Sequence, residues 1–142
     1  MARGRSALPV APVTQRPVAA LVVAVGAVCG AATRWAVGEL VPASRFPWAL
    51  VLVNLAGSLV LGMVAFRAAT GRRELVRLGA GIGFCGSLTT FSSLAVTLAH
   101  ELGDGGSFLA VEVLVVHLAG GVGAAALGAG LRHRWWPGPA LV

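Results

Sequence analysis

Gly79-Ala80-Gly81-Ile82-Gly83-Phe84-Cys85-Gly86-Ser87-Leu88-Thr89-Thr90-Phe91-Ser92-Ser93 is the stretch on which the fold turns. It lies within an apolar run, Leu78 to Ala99, long enough to cross a hydrocarbon layer that takes about 20 helical residues. Glycines at 79, 81, 83 and 86 followed by a Ser/Thr cluster make a poor uninterrupted helix, although membrane surroundings tolerate them better than water does. A break between Gly86 and Thr90 would release backbone N–H and C=O groups, which inside lipid must find protein, ion or water. Released carbonyls suit a cation, whereas an anion needs N–H, hydroxyl, amide or aromatic-edge donors. A continuous glycine-rich helix whose hydroxyls bond its own carbonyls explains the same composition equally well at this point.

Outward from that stretch, three further apolar segments have membrane-spanning length: Val18 to Val37, Phe46 to Phe66 and Phe108 to Leu131. The chain has 142 residues, 57% of them hydrophobic and only 11% charged. Short connections leave no room for a soluble catalytic domain. The expectation is an all-α membrane protein of four transmembrane helices with a broken third helix, flanked by an N-terminal tail (1–17) and a short C-terminal tail (132–142). An Arg-bearing start before an apolar run imitates a secretory signal, but the run is long for one and Arg34 follows it without a cleavage site, so it reads as a retained first span.

The net charge of +6 comes from Arg without any Lys. In a nucleic-acid binder such charge would form one basic face; here the Arg residues fall between apolar spans, where they suit lipid headgroups. Successive spans alternate sides. One face therefore collects Arg3, Arg5, Arg16, Arg67, Arg72, Arg73, Arg77, Arg132 and Arg134, and the other only Arg34 and Arg45. That bias predicts both termini in the cytoplasm, in a multi-pass protein of the plasma membrane or bacterial inner membrane. Trp35, Trp48 and the Arg134-Trp135-Trp136 end suit interfacial anchoring.

Polar residues inside the spans are few. Asn54 sits mid-way along the second, with Ser58 four residues on and on the same helical face. A functional polar track and a plain interhelical hydrogen bond account for Asn54 equally well. Glu112 and His117 interrupt the fourth span, and a structural role for them outweighs a catalytic one because no further acid, His or Cys completes a hydrolytic or metal site. Arg34 has three readings: neutralising an anion at a vestibule, snorkelling, or pairing with Glu39. Cys29 and Cys85 read as small core residues. Gly26, Gly30, Gly57, Gly62 and the glycines of the last span mark places where helices approach closely.

At Asn54-Leu55-Ala56-Gly57-Ser58-x-x-x-Gly62 and Gly83-Phe84-Cys85-Gly86-Ser87-Leu88-Thr89-Thr90-Phe91-Ser92-Ser93 the sequence resembles the CrcB/Fluc family of fluoride channels. Gly26-x-x-x-Gly30-Ala31-x-x-Arg34-Trp35 is similar to that family's first-span pattern, and the resemblance covers all four spans. It implies a four-span subunit that pairs in antiparallel orientation and exports fluoride passively through narrow pores at the dimer interface. It also implies a structural Na+ at the third-helix break, held by the backbone carbonyls of Gly86 and Thr89. The fluoride path would take Asn54 as its central polar residue and the electropositive ring edge of Phe91, with Thr90 and Ser92 shaping the break and Arg34 near the pore entrance.

Two departures bear on function. The family's complete aromatic motif has a second Phe three positions after the first, where this chain has Leu94; the fourth-span polar track aligns with Glu112 and Val116. Together with the one-sided Arg distribution, Leu94 favours an oppositely oriented homologous subunit as partner over a second copy of the same chain. The implied partners are fluoride, sodium, membrane lipid and that subunit, with no nucleic acid. The alternatives from other classes are a structural small membrane protein without ion flux and a small proton-coupled multidrug exporter.

Overall fold

The computed structural model describes residues 16–64 and 71–135. The expectations placed on 1–15, 65–70 and 136–142, including most of the N-terminal tail, Arg3, Arg5, Arg67 and Trp136, lie outside the described residues. Every regular element among the described residues is helical: α1 (Arg16–Leu40), α2 (Trp48–Val64), α3 (Arg72–Val76), a π-helical segment (Arg77–Cys85), α4 (Gly86–Leu88), α5 (Phe91–Gly103) and α6 (Ser107–Trp135). From Arg72 to Gly103 these form one rod, interrupted only at Thr89 and Thr90.

Among the described residues, three stretches are long and apolar enough to cross a membrane: Pro17–Leu40, Arg72–Gly103 and Ser107–Arg132. The apolar α2 adds 17 described residues, or roughly 25 Å of helix. The chain is a multi-pass membrane protein. Helix ends and hydropathy ends differ in a consistent way. Arg16 and Pro17, expected in the tail, form the first turn of α1, where a missing N–H costs nothing. α6 continues past Leu131 to Trp135, and the third rod begins at Arg72, six residues before the apolar run. Arg residues at a membrane surface leave the helix intact while ending its apolar character, so hydropathy marks the bilayer and not the helix.

Turn chemistry sets the rod's direction. Gly71 (φ 60°) precedes it, and at its far end Gly105 takes φ 78° while Gly106 N–H donates to the Glu101 carbonyl at 2.7 Å and Gly105 N–H to Leu102 at 3.3 Å. This pair of bonds around a left-handed glycine is the Schellman end of a helix. It turns the chain into α6 within three residues.

Burial is sparse, as expected where lipid replaces water. The buried apolar side chains among the described residues are Val51, Val53, Cys85, Leu88, Leu94, Ala110 and Val113, whereas Val28, Trp35, Ile82, Phe108 and Val122 are exposed on the outside. Cys29 corrects the expectation of a core residue: it is exposed on α1, and only Cys85 is buried.

What joins the helices is backbone against backbone. A Cβ at Gly26 would fall on the Gly79 carbonyl, one at Gly30 on the Phe84 carbonyl and one at Gly83 on the Val23 carbonyl. α1 and the π-helical segment are thus seated on each other's main chain. The same holds for α2 and α6, where a Cβ at Gly62 would meet the Ala125 carbonyl and one at Gly128 the Leu59 carbonyl. Without a hydrophobic driving force between helices in lipid, such close approach is the principal source of association.

Candidate functional site

The interruption of the rod is built by two threonines. Thr89 N–H and Thr89 Oγ1 both donate to the Cys85 carbonyl, at 3.0 and 2.9 Å, which ends the preceding helix. Thr89 (φ −81°, ψ 151°) and Thr90 (φ −148°, ψ 116°) are extended. Thr90 then starts α5 as its N-cap, Oγ1 accepting from Ser93 N–H at 3.2 Å, and its hydroxyl also lies 3.1 Å from the hydroxyls of Ser92 and Ser93.

Asn54 closes the gap. Its Oδ1 accepts from Thr90 N–H at 2.8 Å and its Nδ2 donates to the Thr90 carbonyl at 3.3 Å. The opposite placement of the amide would set N–H against N–H and oxygen against oxygen, so the orientation is fixed by its partners. One carboxamide thereby substitutes for the two backbone partners that the break removes. Asn54 thus makes the interhelical hydrogen bond of the structural reading, and it does so in a cavity wall.

That cavity, about 320 Å³, is walled by Asn54 and Ser58 of α2, Thr89 and Thr90 of the break, Phe91 and His117, with Gly86 and Leu94 also at its surface. Phe91, first residue of α5, is 77% exposed. Leu94, standing where the aromatic motif is incomplete, is 4% exposed and packs as wall. A second cavity of about 240 Å³ is lined by Arg34, Gly38, Thr90, Ser93 and Thr97. Thr90 belongs to both. The structure therefore gathers Asn54, Gly86, Thr89, Thr90 and Phe91 at one cavity and places Arg34 in the other, while exposed Ser92 lines neither and touches the site through the Thr90 hydroxyl. Among the described residues no ion pair joins Arg34 to Glu39, whereas Glu74 and Arg77 stand 4.0 Å apart as an ion pair.

Sequence reasoning missed Ser93 and Thr97 as cavity residues. Their signal was there: 90, 93 and 97 fall on one helical face once a helix is known to begin at Thr90. His117, assigned mainly a structural role, is buried in the first cavity's wall, whereas Glu112 is exposed.

The implied Na+ would take its ligands from the backbone oxygens at the break. None of the hydrogen bonds at the break ends on the carbonyl oxygens of Gly86 or Thr89, and a Cβ at Gly86 would meet nothing within 4 Å. Neutral, hard oxygens without a hydrogen-bond partner are of the kind that suits a hard cation, and two of them would not fill its shell. No group of three or more His, Cys, Asp or Glu side chains suited to a metal occurs among the described residues.

Apolar helices of membrane length, seated on each other through glycines and interrupted at one point beside two cavities, define a helical membrane protein built around a discontinuous helix. The chain belongs to the CrcB family: the family described as CrcB-like protein, Camphor Resistance (CrcB), matches residues 21–129. It is 41% identical over 117 residues to a Fluoride-specific ion channel FluC 2 of Parasynechococcus marenigrum, covering 82% of this chain and 83% of that one. It is also 38% identical over 121 residues to a Fluoride-specific ion channel FluC of Methanopyrus kandleri (83% and 92%), and 35% identical over 119 residues to a Fluoride-specific ion channel FluC of Bordetella petrii (82% and 93%).

Proposed function

We propose that this chain is a subunit of a fluoride-selective channel, which lets fluoride leave the cytoplasm passively and catalyses no reaction. The observation that carries the reading is the Asn54–Thr90 clasp. It holds a helix break open beside a cavity whose wall offers hydroxyls, an amide and the exposed ring of Phe91. Fluoride is a compact, strongly hydrated anion, and only closely spaced donors of that kind replace its water. The relatives named as fluoride-specific ion channels supply the identity of the ion.

In this reading four helices span the bilayer, with both termini in the cytoplasm on the strength of the Arg distribution. Lipid covers the exposed apolar faces. Two subunits pair in antiparallel orientation, so that the carbonyls of Gly86 and Thr89 from each share one structural Na+ and the Phe91 ring is covered by the partner. Asn54, Thr90 and Phe91 border the anion path, Ser92 supports Thr90, and Arg34 attracts the anion at the second cavity. Leu94 offers no ring edge to fluoride, which supports pairing with an oppositely oriented homologue that carries the complete aromatic motif.

Fluoride efflux from liposomes tests this, with chloride as the control anion and the chain reconstituted alone and then with such a homologue. Fluoride-selective efflux from the mixture only is the expected result. Efflux from the single chain would replace the heterodimer by a homodimer, and no efflux from either, with incorporation verified, would leave a structural membrane protein.

A further inference from the structure

The hydroxyl hydrogens at the break can be followed one by one, because a hydroxyl has one hydrogen to give and two lone pairs to accept with. Thr90 Oγ1 donates to Ser93 Oγ at 3.1 Å. Its hydrogen is thereby committed, so across the 3.1 Å contact between Thr90 and Ser92 the donor is Ser92. Ser93 N–H donates to the same oxygen at 3.2 Å, and Thr90 Oγ1, giving one bond and accepting two, is full. Ser93 Oγ accepts from Thr90, and among the described residues no bond takes up its own hydrogen.

Three hydroxyls line the second cavity, those of Thr90, Ser93 and Thr97. Thr97 Oγ1 donates to the Ser93 carbonyl at 2.9 Å, which leaves it only lone pairs. Of the three, Ser93 keeps a hydrogen to offer. The lining also holds the Arg34 side chain, which only donates. No carboxylate lines this cavity, and among the described residues none pairs with Arg34. Arg34 and Ser93 are both exposed, so an ion reaches them without displacing a packed side chain.

We propose that Ser93 contacts the anion in the second cavity, its O–H and the Arg34 guanidinium together forming a two-donor site for a small anion. The chain of hydroxyls runs one way, from Ser92 to Thr90 to Ser93 to the anion, and each link polarises the next. The two donors act differently. An exposed guanidinium draws any anion through a field that salt screens, whereas an O–H bonded to a charged acceptor favours the anion that accepts most strongly. The inference rests on the channel reading for fluoride as the anion, but not for which hydroxyl donates.

The full chain in detergent micelles, labelled with 15N-serine and 15N-arginine, is titrated with fluoride and with chloride and followed by NMR. The expected result is a saturable shift of the Arg34 Nε–H and Ser93 amide signals that is larger in fluoride than in chloride. The Ser93 amide reports because it bonds the Thr90 oxygen whose hydrogen is held by Ser93 Oγ. An unmoved Ser93 amide overturns the proposal, and so does an Arg34 titration that Ser93→Ala leaves unchanged.

Efflux from liposomes, in the pairing that conducts, supplies the second arm. Ser93→Ala should slow efflux at subsaturating fluoride about tenfold, and Ser93→Thr, which keeps the hydroxyl, should recover most of the loss. Thr97→Val should cost less than Ser93→Ala, since the Thr97 hydrogen is already given to a carbonyl; an equal or greater cost overturns the proposal. Wild-type efflux from Ser93→Ala overturns it as well while leaving the channel intact. If Ser93→Ala does not fold, or if no pairing of the wild-type chain conducts and the channel reading falls, the wild-type titration alone decides the site.

Discussion

The two arms of the interrupted rod are made on opposite plans. The π-helical arm, Arg77–Cys85, buries Gly81, Gly83 and Cys85 and lies main chain to main chain on α1. The arm beyond the break, α5, buries only Leu94; it packs against α6, is tied at its start by the Thr90 cap and the Asn54 carboxamide, and its first residue, Phe91, stands exposed. The first arm is seated by close backbone approach on α1, and the second by side-chain packing on α6 together with hydrogen bonds at its start. Close backbone seating and exposed side chains thus fall to different halves of one rod.

Substitutions along the two arms should separate these roles. The largest effect is expected from Gly30→Val. Its Cβ would fall on the Phe84 carbonyl, which as backbone cannot move aside, so α1 and the π-helical arm must part at a cost of about 3 kcal/mol or more. Thermal unfolding in detergent reads this directly, and a stable Gly30→Val protein would break the claim that close backbone approach seats the first arm. Next comes Asn54→Leu, which strands the N–H and C=O of Thr90 and should cost about 2 to 3 kcal/mol along with fluoride flux. Asn54→Asp sharpens the result, since it keeps the acceptor for Thr90 N–H but turns a second oxygen on the Thr90 carbonyl.

Thr90→Ala removes the cap of α5 and should destabilise by about 1 kcal/mol, with Thr90→Ser restoring most of the loss. Phe91→Ala should lie within about 0.5 kcal/mol of wild type in stability, because the ring is exposed, yet reduce fluoride efflux about tenfold through the lost aromatic edge. If Phe91→Ala unfolds the protein instead, the exposed ring holds the second arm in place as well.

The sequence announced the break better than it announced its partner. Gly86 followed by Thr89-Thr90 is a local signal, since β-branched, hydroxyl-bearing residues both end one helix by bonding back to Cys85 and cap the next. That Asn54 would reach Thr90, 36 positions away, is a tertiary fact that no spacing within one chain encodes. Glycines 79, 81 and 83 advertised a weak helix but not a π-helix, because their meaning lies in neighbours distant in sequence: α1 against Gly79 and Gly83, and the α2 side chains of Leu61 and Val64 against Gly81. Gly26 and Gly30, four residues apart, did mark that face. Burial of His117 and exposure of Cys29 depend on the rotation of α6 and α1 about their axes, which an almost uniformly apolar helix does not specify: with apolar residues on every side there is no polar face to orient it.

The π-helical arm also constrains how this protein can change length. A π turn holds one residue more than an α turn, so the loss of a single residue within Arg77–Cys85 can be absorbed by tightening one wide turn to an α turn, which leaves Thr90 and Phe91 facing much as before. The same loss in Gly86–Leu88, which is α-helical, would turn everything downstream by roughly 100° about the rod, the angle one α-helical residue subtends, and carry Thr90 away from Asn54. The wide-wound arm is thus a reserve of length: a residue lost there is far more forgivable than one lost a turn further on.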